Sequence, residues 1–176
     1  MAKKAFANGA PSVIPISALA PLSGASGQNR RYLLPGDFHV SVLPAQITTI
    51  LGSCVSICLW DSQNRIGAMN HYLFPEWHEG DKASTRFGNV ATLAILEELL
   101  ELGSDPRNLQ AKLFGGAALF TSADRYAKSL GAKNVEVAQR MLAHSGIPVI
   151  AQDTGGHHGR KILFDTSDCS AWSRKV

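Results

Sequence analysis

Two residues in the stretch Thr48 to Phe74, TTILGSCVSICLWDSQNRIGAMNHYLF, are of the types that make a nucleophile and its base: Cys54 and His71. An isolated cysteine titrates near 8.5 and is roughly 3% thiolate at pH 7. Lowering that value to about 6 gives roughly 90% thiolate, some thirtyfold more nucleophile. A protonated histidine alongside would supply the shift and then serve as acid and base. Gly52 and Ser53 add a second ingredient, because a tight turn before a nucleophile leaves backbone N–H groups to hold a developing oxyanion.

The spacing predicts how the two would meet. Cys54 to Trp60 and Ile66 to Phe74 are rich in β-branched and apolar residues, and Asp61-Ser62-Gln63-Asn64 between them are turn formers. If those four residues are the hairpin loop, opposed residue numbers sum to 125, Cys54 with His71 among them. Directly opposed side chains share a face of the sheet, and a one-residue slip would separate them. Thr48 is a candidate third member, orienting the imidazole through its hydroxyl or carbonyl. Six extended steps span roughly 20 Å, so Thr48 helps only if the ILGS stretch bends the chain back. Thr49 is expected to point away from Thr48's side.

Structural roles compete with each of these. Cysteine is among the most buried residue types, and Cys58, on the same strand face as Cys54, is read as core. Met69 and Leu73 share His71's face, so a satisfied core histidine is the competing reading there. Cys54, Cys58 and His71 make a weak metal signature, and no cofactor or metal is expected. Cys169 lies in a polar stretch and has no assigned role. Gly115-Gly116 suits either a plain turn or a close approach of substrate to backbone. His157 and His158, near Asp153 and Asp165, sit in a glycine-rich loop, while Asn89, Asn134 and Asp153 are read as caps and turn residues.

The elements that must position this chemistry form one domain. The chain has 176 residues, 45% of them hydrophobic and 18% charged, enough to bury a core unaided. A formal charge of +3 gives no case for nucleic acid, and no apolar run is long enough to span a membrane. Three cysteines fit no disulfide framework and suggest a reducing, cytoplasmic setting. Residues 1–30 read as a mobile tail, since Pro11, Pro15 and Pro21 break what would otherwise look like a signal peptide. Residues 31–170 read as the domain and 171–176 as a C-terminal tail. Short strands are expected within Tyr32 to Thr49, then the hairpin, then a helix from an Asn89 cap to Gly103. Further on come a strand at Ala111 to Phe114, a helix from an Asn134 cap to His144, and strands at 148–152 and 161–164. Amphipathic helices with several strands make a mixed α/β class.

Taken in order, TTILGSCVSICLWD, GAMNHYLFP, RFGNVA, AKLFGGA, NVEVA and GIPVIAQDTGG followed by GRK resemble the CheD family of bacterial chemoreceptor glutamine deamidases. The resemblance covers roughly Leu34 to Asp165. It implies that the family's nucleophilic cysteine falls on Cys54, its catalytic histidine on His71, and its threonine, six positions before the cysteine, on Thr48. It also implies a four-layer α/β/β/α sandwich of two mixed sheets with outer helices, similar to the catalytic domains of deamidating toxins. The implied activity converts glutamine side chains on chemoreceptor cytoplasmic helices to glutamate, with the CheC phosphatase as a regulatory partner. A non-catalytic module that binds receptors or CheC, and a deamidase of another protein target, are the alternatives.

Overall fold

A computed structural model describes residues 29–80, 82–119 and 125–176, without the side chains of 125–129. Among the described residues are nine strands: β1 (Asn29–Tyr32), β2 (Phe38–Ser41), β3 (Ala45–Leu51), β4 (Val55–Asp61), β5 (Gly67–Asn70), β6 (Leu109–Gly115), β7 (Val149–Thr154), β8 (Arg160–Asp165) and β9 (Ala171–Lys175). Two helices accompany them, α1 (Gly88–Glu101) and α2 (Arg125–His144). The strands form two mixed sheets, one ordered β1-β3-β8-β9 and the other β2-β5-β4-β6-β7.

Strand β4 runs through the middle of the five-stranded sheet, and six of its seven residues are buried. Its two faces serve two cores, as the alternation of side chains requires. Val55, Ile57 and Leu59 face the helices with Ile95, Leu99, Ala138 and Leu142. Cys58 lies in the layer between the sheets with Ile47, Leu51, Met69, Phe114 and Phe164. Each such Leu, Ile or Phe removed from water contributes about 1.5–3 kcal/mol.

Both helices end where glycine predicts. Gly103, with φ +89°, follows α1, and the Ser104 and Gly103 amides donate back to Leu99 and Leu100. Gly146 does the same for α2, with Ile147 and Gly146 donating to Leu142 and Ala143. The helix starts differ from the sequence reading. Phe87 occupies the α1 cap position without a side-chain bond, and Asn89 instead clasps both backbone groups of Trp77. Asn134 caps nothing, because α2 begins at Arg125 and carries Asn134 in its interior.

Two larger expectations differ from what the described residues form. Both helices pack on the five-stranded sheet, so the described layers run helix, sheet, sheet, and no described helix forms the fourth layer. The reason is visible in β3 and β8, whose burial alternates residue by residue: one face of their sheet packs inward and the other meets solvent. Residues 171–176 are not a tail, since Ala171–Lys175 form β9 along β8, with Ala171 and Trp172 buried. A turn through Thr166 to Cys169 joins them, closed by Asp165 N–H donating to Ser170, with Cys169 at φ +65°.

Candidate active site

The Gly52-Ser53-Cys54 segment is the crossover between sheets: β3 belongs to the four-stranded sheet and β4 to the five-stranded one. Cys54 is therefore at the mouth of the inter-sheet layer, half-buried and packed against the core there. Across the layer, Ile47 and Leu51 of β3 share one core with Met69 of β5.

The β4–β5 register pairs Cys58 with Met69, Leu59 with Ala68 and Trp60 with Gly67, and an isolated bridge pairs Val55 with Tyr72. Opposed numbers sum to 127, not 125. The loop is one residue later, 62–65, because the Asp61 carboxylate accepts from Gln63 and Asn64 while Arg65 takes a positive φ of 57°. Moving a four-residue loop by one position shifts each partner by two, which preserves faces. Cys54 and His71 are thus diagonal rather than directly opposed, a relation spanning about 7–8 Å in a regular ladder. Both remain on the inter-sheet side.

His71 follows a break in the ladder. Asn70 fills the gap, its Oδ1 accepting from Ile57 N–H at 2.8 Å, while its carbonyl accepts from the Ser56 hydroxyl. The His71 backbone is gripped instead by the β1–β2 loop: its N–H donates to Asp37 O at 2.9 Å, and its carbonyl accepts from Gly36 N–H at 2.7 Å. The ring is thereby fixed in the inter-sheet layer, 2% exposed.

The residue that meets the ring is Thr49. Its Oγ1 lies 2.8 Å from His71 Nδ1 and 2.8 Å from Leu33 O. A carbonyl only accepts, so the single hydroxyl proton goes to Leu33 O and Nδ1–H donates to the hydroxyl. This fixes the Nδ1–H tautomer and leaves Nε2 as the free base. Nε2 is buried without a hydrogen-bond partner among the described residues. Thr48, expected in this role, is turned away, with its hydroxyl donating to Arg31 O at 3.4 Å. The parity of β3 decides it: Ala45, Ile47, Thr49 and Leu51 point inward, and Thr48 points out.

Behind Cys54 stands a backbone cradle. Gly116 N–H donates to Cys54 O and Ala117 N–H to Gly52 O, each at 2.8 Å. Gly115 adopts φ +106°, and a Cβ there would lie 2.1 Å from Cys54 O, so only glycine fits. The Gly115-Gly116 pair is thus a support for the cysteine's own backbone. Arg160, 6% exposed, donates to Gly115 O and Gly155 O and pairs with Asp153 at 3.1 Å. Asp153 is the counter-ion of this buried guanidinium rather than a turn residue, and Ser173 donates to its other oxygen. From the helix side, Asn134 Nδ2 donates to Ser53 O at 2.9 Å and Leu73 O at 2.8 Å.

Burial shifts both groups away from their charged forms. It pushes the Cys54 thiol above its ordinary value, with a backbone N–H of its own residue partly offsetting the rise. It pushes His71 below its ordinary value, against the Leu33 carbonyl and Asp37. Both shifts favour the neutral thiol and the neutral imidazole over their charged forms.

The other candidates do not join this site. Cys58 is fully buried and its thiol is driven far up by desolvation. Cys169 is also in the core, pushed up to about 11. His157 and His158 are exposed on the β7–β8 loop, and no cluster of metal-ligating side chains occurs among the described residues. Sequence reading missed Thr49, Asn70, Asn134 and Arg160. For Asn134 a signal existed: it is spaced four residues before Ala138 and eight before Leu142, a polar residue on an apolar stripe.

The family model described as CheD chemotactic sensory transduction matches residues 73–175. A protein of Anaeromyxobacter dehalogenans named probable chemoreceptor glutamine deamidase CheD 1 is 42% identical over 153 residues, 87% of this chain and 88% of that one. Proteins named probable chemoreceptor glutamine deamidase CheD from Trichlorobacter lovleyi and Thermococcus kodakarensis are each 41% identical. They cover 77% and 80% of this chain and 83% and 89% of their own. A solved Bacillus licheniformis hypothetical protein, YfiH, aligns with a TM-score of 0.45 at 14% identity over 66% of this chain and 50% of its own, too distant to carry over fold or chemistry. With the family model spanning more than half the chain and relatives matched over most of their length, the chain belongs to the CheD family.

Proposed function

We propose that the protein deamidates glutamine side chains of chemoreceptors, with Cys54 as nucleophile and His71 as acid and base. The observation that carries this reading is the His71 ring, with Nδ1–H committed to Thr49 and Nε2 left open in the layer whose mouth holds Cys54. His71 Nε2 takes the thiol proton as Sγ attacks the carboxamide carbon. The oxyanion forms where the Cys54 N–H can reach it. His71 returns the proton to the amide nitrogen, ammonia departs, and a thioester remains. His71 then deprotonates water, which attacks the thioester carbon; the sulfur leaves and is reprotonated, and glutamate is released. Each turnover consumes one water and leaves a new carboxylate on the receptor.

The names carried by relatives support the chemoreceptor as substrate. The cytoplasm is the location this reading implies. Among the described residues no helix is long and apolar enough to cross a membrane. CheC is the regulatory partner this reading implies. The test is incubation with purified receptor cytoplasmic fragments, followed by mass-spectrometric mapping of Gln-to-Glu changes. Conversion by wild type and none by Cys54→Ser is expected. Receptor binding with no conversion by wild type would instead favour a non-catalytic adaptation module.

A further inference from the structure

Asn134 is an expensive residue where it stands. It lies midway along α2, is fully buried, and belongs to a type with weak helix propensity. Its Oδ1 is buried with no hydrogen-bond partner among the described residues, which is a further cost. Helix propensity and apolar packing do not explain it.

Its contacts do. Both Nδ2 protons are used, one on Ser53 O and one on Leu73 O, and these two acceptors fix which end of the carboxamide is nitrogen. Ser53 precedes Cys54, and Leu73 lies two residues after His71. Between them, Val55 and Tyr72 exchange backbone bonds of 3.1 and 3.0 Å, and Tyr72 Oη donates to the main-chain oxygen of Asn134 at 2.5 Å. One side chain of α2 therefore ties together the turn that leads through the cysteine into β4 and the segment that leaves β5 through the histidine.

Ser53 C=O and Cys54 N–H belong to one peptide unit, and no peptide bond in the described structure is cis. In a trans unit the two groups point in opposite directions. Holding Ser53 O toward α2 turns the Cys54 N–H away from the helix, to the inter-sheet side where the Cys54 side chain packs. We propose that Asn134 is a positioning residue: by pinning the Ser53 carbonyl it aims the Cys54 N–H at the place where the oxyanion forms. This rests on the thiol reading of Cys54 given above.

The test separates oxyanion chemistry from thiol access. Acylation of Cys54 by p-nitrophenyl acetate passes through a tetrahedral oxyanion, whereas alkylation by iodoacetamide is a direct displacement without one. Both rates are followed on Cys54 by mass spectrometry, and their ratio is compared between proteins. Asn134→Asp keeps the shape but has no N–H to donate. It should lower the acylation-to-alkylation ratio by about tenfold or more, within reach of the 10²–10³ typical for loss of an oxyanion donor. Val137→Ala, a buried change on the same helix away from the turn, should leave the ratio within twofold. If Asn134→Asp does not fold, Tyr72→Phe loosens the same clamp and should shift the ratio in the same direction by a smaller factor. An unchanged ratio in a folded Asn134→Asp, or in Tyr72→Phe where the first fails to fold, overturns the proposal, as does an equal fall in Val137→Ala. Failure of wild type to deamidate receptor fragments would sink the receptor reading and leave this ratio intact as the measure of Asn134.

Discussion

The mouth of the inter-sheet layer and its middle each hold a cysteine from the same strand face, four residues apart. Cys58, in the middle, is sealed between Met69 and Lys112 as cross-strand neighbours. Cys54, at the mouth, is half-buried, follows a crossover turn, and has a histidine on the diagonal. Identical chemistry in the side chain gives an inert thiol in one place and a candidate nucleophile in the other. Position relative to the sheet crossover makes the difference, because there, alone among the described residues, a partly accessible sulfur, a strand-free N–H and a buried base share one layer.

The sharpest way to break this comparison is to remove each sulfur in turn. Cys54→Ser should cut deamidation of receptor fragments by roughly 10⁴-fold or more while receptor binding stays near wild type. Cys58→Ala should keep activity within twofold and instead lower stability by about 1–3 kcal/mol, read from urea unfolding. Near-wild-type turnover by Cys54→Ser would end the thiol mechanism.

The base comes next. His71→Ala should reduce turnover by about 10²–10⁴. The double mutant Cys54→Ser/His71→Ala should be little worse than Cys54→Ser alone, since the two groups act as a unit. Additive losses in that cycle would show two independent roles.

A smaller effect divides two adjacent threonines. Thr49→Val removes the hydroxyl that holds Nδ1–H, and should lower kcat by about tenfold, the worth of one hydrogen bond of roughly 1.4 kcal/mol. Thr48→Val, on the outward side of β3, should leave kcat within twofold. The reverse order would restore Thr48 as the orienting residue.

The smallest expected change is a displacement of the pH profile. The reactive form needs an unprotonated imidazole and one thiol proton to transfer. Burial lowers His71 from 6.5, so the acid limb of kcat/KM should fall below that value. Burial raises the Cys54 thiol from 9.0, so the alkaline limb should lie above it. A preformed thiolate–imidazolium pair would give the opposite pattern in alkylation, with Cys54 fully reactive near pH 6. Alkylation of Cys54 that rises with pH through and beyond 9 is expected.

Much of the site was legible because local chemistry announces itself. Gly-Ser before Cys54, the Gly115-Gly116 turn and the glycines closing both helices are all short-range signals, and each falls at a structural junction. The face shared by Cys54 and His71 was also legible, because a hairpin loop displaced by one residue changes partners by two and leaves parity untouched. β9 was not legible, since a short run with Ser173, Arg174 and Lys175 has too little apolar alternation to stand out.

What the sequence by itself determined is which residue types are available and which side of its strand each one takes. Tertiary structure decided which of them meet. Thr49 reaches His71 only because β3 and β5 face each other from different sheets, a pairing that no spacing along one strand encodes. Asn134 reaches Ser53 across 81 positions of sequence, and Arg160 reaches Gly115 across 45. Periodicity is a property of neighbouring residues, and it fixes direction within an element. Contacts between elements depend on how layers stack, and that is set by burial summed over the whole core.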